Sequence, residues 1–440
     1  MSAASTNLHF HGLALPPVCH QDETLKTLIE PGDPPFEYKV RIPTSQPPGL
    51  YWYHPHVHGF SEQHLLGGAS GALVVEGIAS ATVRPESLAE RILVIRDEWM
   101  PPISPEQVAD RFRPTKQLSV NYVPVPYPSY PPARIEMRPR QRELWRVLNA
   151  SADTYLDLYV EFAERRQTLE LVALDGVPLG FAAPRAHQRT SKVNSLLLPP
   201  AARAEFVVTA PASGGSGRLM TGFVRRSTND RDAVPQRAAE ARALTKADQD
   251  DRDPPRPLAS IAVTATAQGA RPLAAVLAVN VARQPLITMR PARARTLYFS
   301  ERPSKAADPG SPNLFFITEA GHQPKVFDPD DEPSILVHQG EVEDWTLENR
   351  SPEAHTFHVH QLHFLVLDRQ GAAQEEPSLR DTVTVPAWTF FQPFPSVTVR
   401  MDFRDPSIVG VFPFHCHIAQ HLDGGMMGTI RVLPRRSSAH

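Results

Sequence analysis

Short apolar or alternating runs, separated by proline, glycine and aspartate, dominate this chain of 440 residues. Alternation of apolar and polar positions is typical of half-buried β-strands, and turn residues between the runs favour loops over long helices. Such runs lie at residues 36–42, 50–53, 72–76, 92–95, 141–148, 154–160, 169–173, 204–209, 295–300, 315–317, 334–337, 343–348, 357–367, 381–385 and 396–403. The pattern predicts an all-β protein.

The grouping of these runs predicts three β domains and a linker. The first domain covers residues 1–80, where a glycine-rich turn and a final strand close it, and the second covers 81–224. Residues 225–256 are highly charged and weakly periodic, which predicts a solvated linker. The third domain covers 257–440. The second domain has little metal-binding chemistry of its own, so we expect it to be a spacer or a substrate wall.

Composition excludes several classes of partner. The 46 prolines are about twice the usual share of roughly 5%, which again favours turns and strands. The formal charge of −3 gives no reason to expect binding to nucleic acid or to an anionic membrane. We also expect no membrane span, because no apolar run approaches the ~18 residues that one requires. The first residues lack the pattern of a signal peptide. The protein therefore stays inside the cell, or this sequence begins after an export signal.

One stretch near the end of the chain concentrates metal-binding side chains. Cys416 has a histidine on each side, a further histidine at His421 and a thioether at Met426. Two histidines, a cysteine and a weak axial methionine form a blue-copper electron-transfer site, so one histidine has to come from elsewhere. Because neighbours on a strand point to opposite faces, His415 and His417 should face a second site.

Three further clusters contain histidines at strand spacing. They are HFHG at residues 9–12, HPH at 54–56 and HTFHVH at 355–360. Alternation on a strand places two histidines of an H-x-H pair on one face, which is a chelating arrangement. Together with the stretch around Cys416, these clusters contain ten of the eighteen histidines.

The four clusters resemble, in order and spacing, the four copper-binding signatures of multicopper oxidases, the family of laccases, ascorbate oxidase and bacterial cuprous oxidases. Flanking stretches are also similar to bacterial members: GLYWYHPHVHG at 49–59, LDGVP at 174–178 and DGGMMG at 423–428. The resemblance implies three cupredoxin-like Greek-key β-sandwich domains, the first of them shortened at its N-terminus. It also implies a periplasmic or secreted location.

The resemblance further implies four copper ions per chain. The type 1 copper would be held by His355, Cys416 and His421, with Met426 axial. The other ligands would be His9 and His358 for the type 2 copper, and His11, His54 and His417 with His56, His360 and His415 for the type 3 pair. Cys416 could then pass electrons through the backbone to His415 and His417.

Proton delivery requires an acid near the copper cluster. Family members have one shortly after the first H-x-H motif, and Asp22 is the candidate at that place. Asp423, just after His421, is a second candidate. The alternative for both residues is an ordinary turn aspartate.

These features predict a laccase-like oxidase that couples one-electron oxidation of a small reducing substrate to reduction of dioxygen to water. No methionine-rich insert precedes the last motif, which favours phenols and aromatic amines over metal ions as donors. An alternative is a metallo-oxidase of Cu(I) or Fe(II), which a methionine or carboxylate cluster over the type 1 site would support. An alternative of another class is a copper-free structural protein with the same fold.

Overall fold

The computed structural model describes residues 4–81, 88–100, 114–181, 190–227, 252–268, 270–274, 285–304, 313–373, 378–389 and 392–436. Strands dominate these residues, as predicted, and helices are few and short. None of the helices in the described ranges has the length and apolar character needed to cross a membrane. Most of the predicted linker lies outside the described residues.

The N-terminal segment forms a three-stranded antiparallel sheet in the order β1-β2-β3. Its elements are β1 (His9–His11), β2 (Gly49–His54), α1 (Ser61–Leu66), β3 (Gly71–Val75) and a 3-10 turn (Ile78–Ala81). The strand predicted at residues 36–42 was wrong, because this stretch is irregular. Tyr38 and Val40 still pack against the core around Phe10. Alternation therefore marked a partly buried face, but it could not show that the backbone lacks a strand partner.

The middle segment contains two larger sheets. Its elements are β4 (Leu88–Trp99), β5 (Lys116–Val120), β6 (Val123–Val125), β7 (Ala133–Met137), β8 (Arg142–Asn149), β9 (Leu156–Phe162), β10 (Arg165–Arg166), β11 (Leu169–Leu174), β12 (Val177–Pro178), β13 (Ser191–Val193), β14 (Leu196–Leu198), β15 (Arg203–Thr209), β16 (Gly215–Thr221), β17 (Val224–Arg225), β18 (Arg252–Asp253), β19 (Arg256–Val263) and β20 (Arg271–Pro272). One sheet has the order β10-β9-β16-β19-β7 and the other β12-β11-β15-β8-β4-β5-β6.

The C-terminal segment repeats this two-sheet design. Its elements are a 3-10 turn (Leu286–Thr288), β21 (Arg293–Pro303), β22 (Asn313–Glu319), β23 (Ile335–His338), β24 (Val342–Asn349), β25 (His355–Val359), β26 (Phe364–Arg369), β27 (Ala372–Ala373), β28 (Leu379–Arg380), β29 (Thr382–Val385), β30 (Ser396–Asp402), a 3-10 turn (Pro406–Ile408), β31 (Gly410–Cys416), α2 (Ala419–Asp423) and β32 (Met427–Leu433). The two sheets have the orders β22-β21-β24-β30-β26-β27 and β23-β32-β31-β25-β29.

Strand β19 shows where the sequence pattern misplaced a boundary. A third domain starting at residue 257 would include this strand, but β19 pairs with β16 and β7 of the middle segment. The charged stretch before β19 marks an interruption of the sheet pattern. Composition alone cannot show that the chain returns to the same sheet afterwards.

The run at residues 357–367, predicted as one strand, is two strands in different sheets. The chain turns between β25 and β26, where Gln361 has a positive φ of 61° and the N–H of Leu362 donates to the carbonyl of His360. Residues on both sides of the turn are buried, so the apolar pattern continues through it. The sequence pattern therefore gives no sign that the strand ends there.

A buried polar motif recurs in the middle and C-terminal segments. A glutamate accepts hydrogen bonds from an arginine on the adjacent parallel strand and from the indole N–H of a tryptophan two residues later. The motif consists of Arg91, Glu143 and Trp145 on β4 and β8, and of Arg295, Glu343 and Trp345 on β21 and β24. Each tryptophan is fully buried in the core of its segment. The two segments therefore share one scaffold.

Each copy of the motif is followed by an asparagine whose side-chain amide donates to a backbone carbonyl of the turn after the strand. Asn149 donates to the carbonyls of Thr154 and Leu198, and Asn349 donates to those of Glu353 and Pro386. In the C-terminal segment this turn leads directly into His355 on β25.

Glu343→Ala should lower the free energy of unfolding of the metal-free protein by about 3 kcal/mol, because it leaves a buried indole N–H without its acceptor and removes one of the two carboxylates that pair with the buried Arg295. Glu136→Ala, which breaks the exposed pair with Arg134, should cost about 0–1 kcal/mol. Chemical denaturation followed by circular dichroism measures both values. Equal losses would contradict a structural role for the buried motif.

Candidate metal centre

Cys416 lies at the end of β31 and is fully buried. Its Sγ is 3.7 Å from Nδ1 of His355 and 3.7 Å from Nδ1 of His421, and these two nitrogens are 3.1 Å apart. His355 reaches this point because β25 pairs with β31, whereas His421 is presented by α2. The three side chains therefore offer one sulfur and two nitrogen ligand atoms to a single position.

The outer nitrogens of both imidazoles have partners that orient the rings. Nε2 of His355 is 2.7 Å from Oγ of Ser351, and Nε2 of His421 is 2.9 Å from Oε2 of Glu353. Partners at Nε2 leave Nδ1 of each ring directed at the thiol, and such outer contacts hold metal ligands in position. The backbone N–H of Cys416 donates to the carbonyl of Met426, which is also fully buried.

Eight further histidines converge between the N-terminal and C-terminal segments. They are His9, His11, His54, His56, His358, His360, His415 and His417. Strand register produces part of this convergence, because His9 is opposite His54 and His358 is opposite His415. All eight side chains are buried, with exposed fractions of 3% or less.

Ring nitrogens of different histidines face each other in this cluster. The Nε2–Nε2 distances are 3.4 Å for His9 and His358, 3.1 Å for His56 and His415, and 3.2 Å for His360 and His415. Backbone carbonyls lie 2.7–3.0 Å from Nδ1 of His54, His358 and His415, which identifies Nδ1 as the protonated nitrogen of these rings. Their Nε2 lone pairs are therefore free for a ligand.

Several nitrogens in the cluster have no hydrogen-bond partner within the described part of the chain. They are Nε2 of His11, Nε2 of His54, Nδ1 of His360 and both ring nitrogens of His417. A buried acceptor without a partner is costly, so the arrangement calls for a cation among the lone pairs.

Burial, followed by the effect of neighbouring imidazoles or of other nearby charges, disfavours the charged form of eight rings at the two sites. It lowers the pKa well below the usual range for His11, His54, His56, His355, His358, His360 and His417. The pKa of His415 falls to about 3 through burial. Neutral imidazole is the form that binds metal.

The ligand types fit copper. Ligand atoms lie within 4.8 Å of one another in four groups: His355, Cys416 and His421; His9, His11 and His358; His56, His360 and His415; and His9, Asp22 and His360. Imidazole suits copper, and thiolate with two histidines is the blue-copper donor set. The remaining rings, His54 and His417, adjoin the second and third groups. The centroid of His417 is 5.4 Å from that of His54, 5.1 Å from that of His11 and 5.3 Å from that of His415.

The two aspartates predicted as acids have different surroundings. Both carboxylate oxygens of Asp22 lie 3.0 Å from Nδ1 of His9, and its Oδ1 accepts the N–H of Phe10. Asp423 instead accepts the backbone N–H groups of Gly59, Ser61 and Glu62 at the start of α1. Asp22 therefore contacts the histidine cluster, whereas the hydrogen bonds of Asp423 hold the N-terminus of a helix.

Sequence reasoning missed other residues at the site. Arg203 and Asp381 form a buried ion pair beside His11, although Arg203 belongs to the segment predicted to be a spacer. Glu353 and Ser351 orient the rings of the thiol site. An acidic residue two positions before His355 was a usable signal for Glu353, whereas nothing local distinguishes Arg203 from the other arginines.

Two sequence models of one family, both described as multicopper oxidase, match residues 1–80 and 305–436. The multicopper oxidase mco of Staphylococcus aureus is 32% identical over 96 residues, which are 20% of this chain and 20% of that protein. A laccase of Haloferax volcanii is 33% identical over 119 residues, or 26% of this chain and 18% of the laccase. These matches span about a fifth of the length of each relative.

The fold is shared over almost the whole chain. A multicopper oxidase from Campylobacter jejuni, described as a metallo-oxidase, superposes with a TM-score of 0.66 at 23% identity. The superposition covers 98% of this chain and 81% of the other. The two matches to the family models contain all four histidine clusters, and the superposition covers both matched regions. The chain belongs to the multicopper oxidase family.

Proposed function

We propose that the protein is a laccase-like multicopper oxidase, which couples one-electron oxidation of a small reducing substrate to four-electron reduction of dioxygen to water. The observation that carries this proposal is the sharing of three consecutive residues between two sites. Cys416 belongs to the thiol site, while His415 and His417 belong to the histidine cluster.

The proposed ligands are those that the resemblance to the family implies, and the groups of nearby ligand atoms support them. His355, Cys416 and His421 would bind the type 1 copper, with Met426 as axial ligand. His9 and His358 would bind the type 2 copper, and the type 3 pair would take His11, His54 and His417 together with His56, His360 and His415. In the same proposal the N-terminal, middle and C-terminal segments are three cupredoxin-like domains.

Bound copper would supply one-electron redox chemistry at the thiol and dioxygen binding at the histidine cluster. The chain supplies the connection, because Cys416 shares backbone bonds with both cluster histidines. It also excludes water, since the ligands are buried. The reaction balances when four donor molecules each lose one electron, and one dioxygen takes up four electrons and four protons to give two waters.

Copper quantitation with EPR, and dioxygen uptake with a phenol or an aromatic amine, test the proposal. We expect four copper ions per chain, a blue absorption band and dioxygen uptake. Cys416→Ser should abolish the blue band and reduce uptake to background, because it removes the thiolate. The control Cys19→Ser, at an exposed thiol, should change neither. A wild-type protein that binds no copper would support the structural-protein alternative instead.

We further propose that Asp22, rather than Asp423, is the acid that serves the cluster. Asp22→Asn should lower turnover or copper affinity about 10–100-fold, as is typical when an outer contact of a metal ligand is lost. Asp423→Asn removes the same charge, but it should cost only about 1 kcal/mol of stability, because its contacts cap a helix. Copper titration, dioxygen uptake and thermal unfolding of both variants distinguish them, and the reverse order of effects would reject the assignment.

A metal-ion donor is the second candidate, and the surroundings of His421 favour it. Glu353 contacts His421 and its side chain is 20% exposed, so it links the thiol site to the surface. The charge of Glu353 also acts on Glu301: burial and the negative charge of Glu353 raise the pKa of Glu301 to about 7. Two carboxylates that interact in this way near an electron entry point suit a cation such as Fe(II), as in an enzyme of the metallo-oxidase type.

Glu301→Gln separates the two donor classes. If Fe(II) is oxidised at this place, the variant should raise the KM for Fe(II) about tenfold, equivalent to about 1.4 kcal/mol, because one carboxylate is lost. The KM for a phenol should not change. Glu332→Gln, at an exposed carboxylate of the same segment, is the control. Steady-state dioxygen uptake with each donor gives both constants, and an equal effect on both donors would argue against a cation site.

A further inference from the structure

A fully buried arginine of the middle segment lies at the meeting point of all three segments. Arg203 donates to both oxygens of Asp381, at 2.6 and 2.7 Å. Its remaining donors reach the carbonyls of Leu50, at 3.1 Å, and of Asp175, at 2.9 Å. The guanidinium therefore joins β15 to β2 of the N-terminal segment and to the C-terminal segment just before β29.

This ion pair contacts two histidines of the cluster. Nδ1 of His11 is 3.2 Å from Nη1 of Arg203 and 3.6 Å from Oδ2 of Asp381. The backbone carbonyl of Asp381 lies 2.7 Å from Nδ1 of His358. The rings of His11 and His358 are stacked, with centroids 3.8 Å apart and an interplanar angle of 14°. Asp381 thus contacts both histidines of this stacked pair, through its carboxylate at His11 and through its backbone carbonyl at His358.

The chemistry of these contacts gives Arg203 an indirect role. Nε2 of His11 has no partner within the described residues and is the nitrogen available to a metal. Without a metal, Nδ1 can accept from the guanidinium of Arg203, but a ring that binds a metal through Nε2 carries its hydrogen on Nδ1. Arginine has no acceptor, and the carboxylate of Asp381 is the group that can attract this N–H. By binding both oxygens of Asp381, Arg203 holds that carboxylate in place.

The backbone after His11 is fitted against the same ion pair. Gly12 has a φ of +85°, and a Cβ at this position would overlap Oδ2 of Asp381 and Nη2 of Arg203. Glycine both tolerates this conformation and permits the close approach. The glycine of the HFHG motif is therefore explained by a residue almost 200 positions away in the chain.

We propose that Arg203 is a positioning residue of the histidine cluster, which acts through Asp381 to orient His11 and His358 for copper binding. This inference rests on the proposed function, because it requires that the histidines bind copper. It also changes the role of the middle segment, which completes the surroundings of the cluster instead of separating its neighbours.

A second buried arginine provides a matched control. Arg146 is also fully buried, and it pairs with Glu90 and Glu205. Glu205 in turn accepts the N–H of Leu50, so this ion pair also ties the middle segment to β2. Among the described contacts of Arg146 there is no histidine. Arg203 and Arg146 therefore share burial and bridging, and they differ in the contact with the cluster.

The experiment compares Arg203→Lys with Arg146→Lys after copper loading. Lysine keeps the charge but cannot bind both oxygens of Asp381 in the same geometry. Arg203→Lys should lower the affinity of the cluster for copper about 10–100-fold and alter the hyperfine splitting of the type 2 EPR signal. The blue absorption of the type 1 site should remain, since that site does not contact the ion pair. Arg146→Lys should lower the thermal stability of the metal-free protein and leave both copper signals unchanged.

Asp381→Asn is the second variant, which serves if Arg203→Lys does not fold. Its amide oxygen can still accept from Arg203, but the NH₂ group then opposes the N–H of His11, so the same loss of cluster copper is expected. Retention of wild-type copper content and EPR parameters in the folded variant would overturn the positioning role. Equal effects of Arg203→Lys and Arg146→Lys would also overturn it. A wild-type protein without copper would reject the proposed function itself, and this inference with it.

Discussion

Adjacent residues of an extended strand point to opposite faces, and both metal sites depend on this constraint at Cys416. The thiol faces the core of the C-terminal segment, where it meets His355 and His421. Its two neighbours face the gap between the N-terminal and C-terminal segments. The paired strand β25 alternates in the same way, because Phe357 lies opposite Cys416 and His358 lies opposite His415. Two paired strands thus supply ligands to both sites.

The convergence of neutral imidazoles has a cost, because buried acceptors without partners are unfavourable in the metal-free protein. The surrounding scaffold holds them in place despite this cost. In the C-terminal segment the buried motif of Glu343 and Trp345 leads through Asn349 into the turn before His355. The middle segment has the same motif 200 residues earlier, at Glu143, Trp145 and Asn149. There Tyr155 occupies the place of His355, and its hydroxyl contacts Oγ1 of Thr356. In the C-terminal segment the duplicated scaffold thus holds the candidate ligand His355, and in the middle segment it holds Tyr155, which contacts the residue after His355.

Sequence patterns predicted the strand content and most strand positions, but they were less successful at element ends and at sheet membership. Residues 36–42 alternate without forming a strand, the run at 357–367 conceals a turn, and β19 returns to the middle sheets. These differences have one cause. Alternation reports which face of a segment is buried, whereas pairing is decided by backbone partners that are remote in the chain.

The sequence by itself determined which side chains could bind a metal, because the spacing of H-x-H and H-C-H is converted directly into faces of strands. The resemblance to the family named Asp22 as one of two candidate acids, and the structure places Asp22 in contact with His9. Tertiary structure alone decided the surroundings: Glu353 at His421, and the Arg203–Asp381 pair at His11. Glu353 is separated from His421, and Arg203 and Asp381 from His11, by long stretches of chain, and their roles arise from burial and charge pairing in the folded protein. Local periodicity shows to which face of a strand a side chain points. It contains no information about which distant charge will lie beside that side chain, as Arg203 Nη1 lies 3.2 Å from Nδ1 of His11.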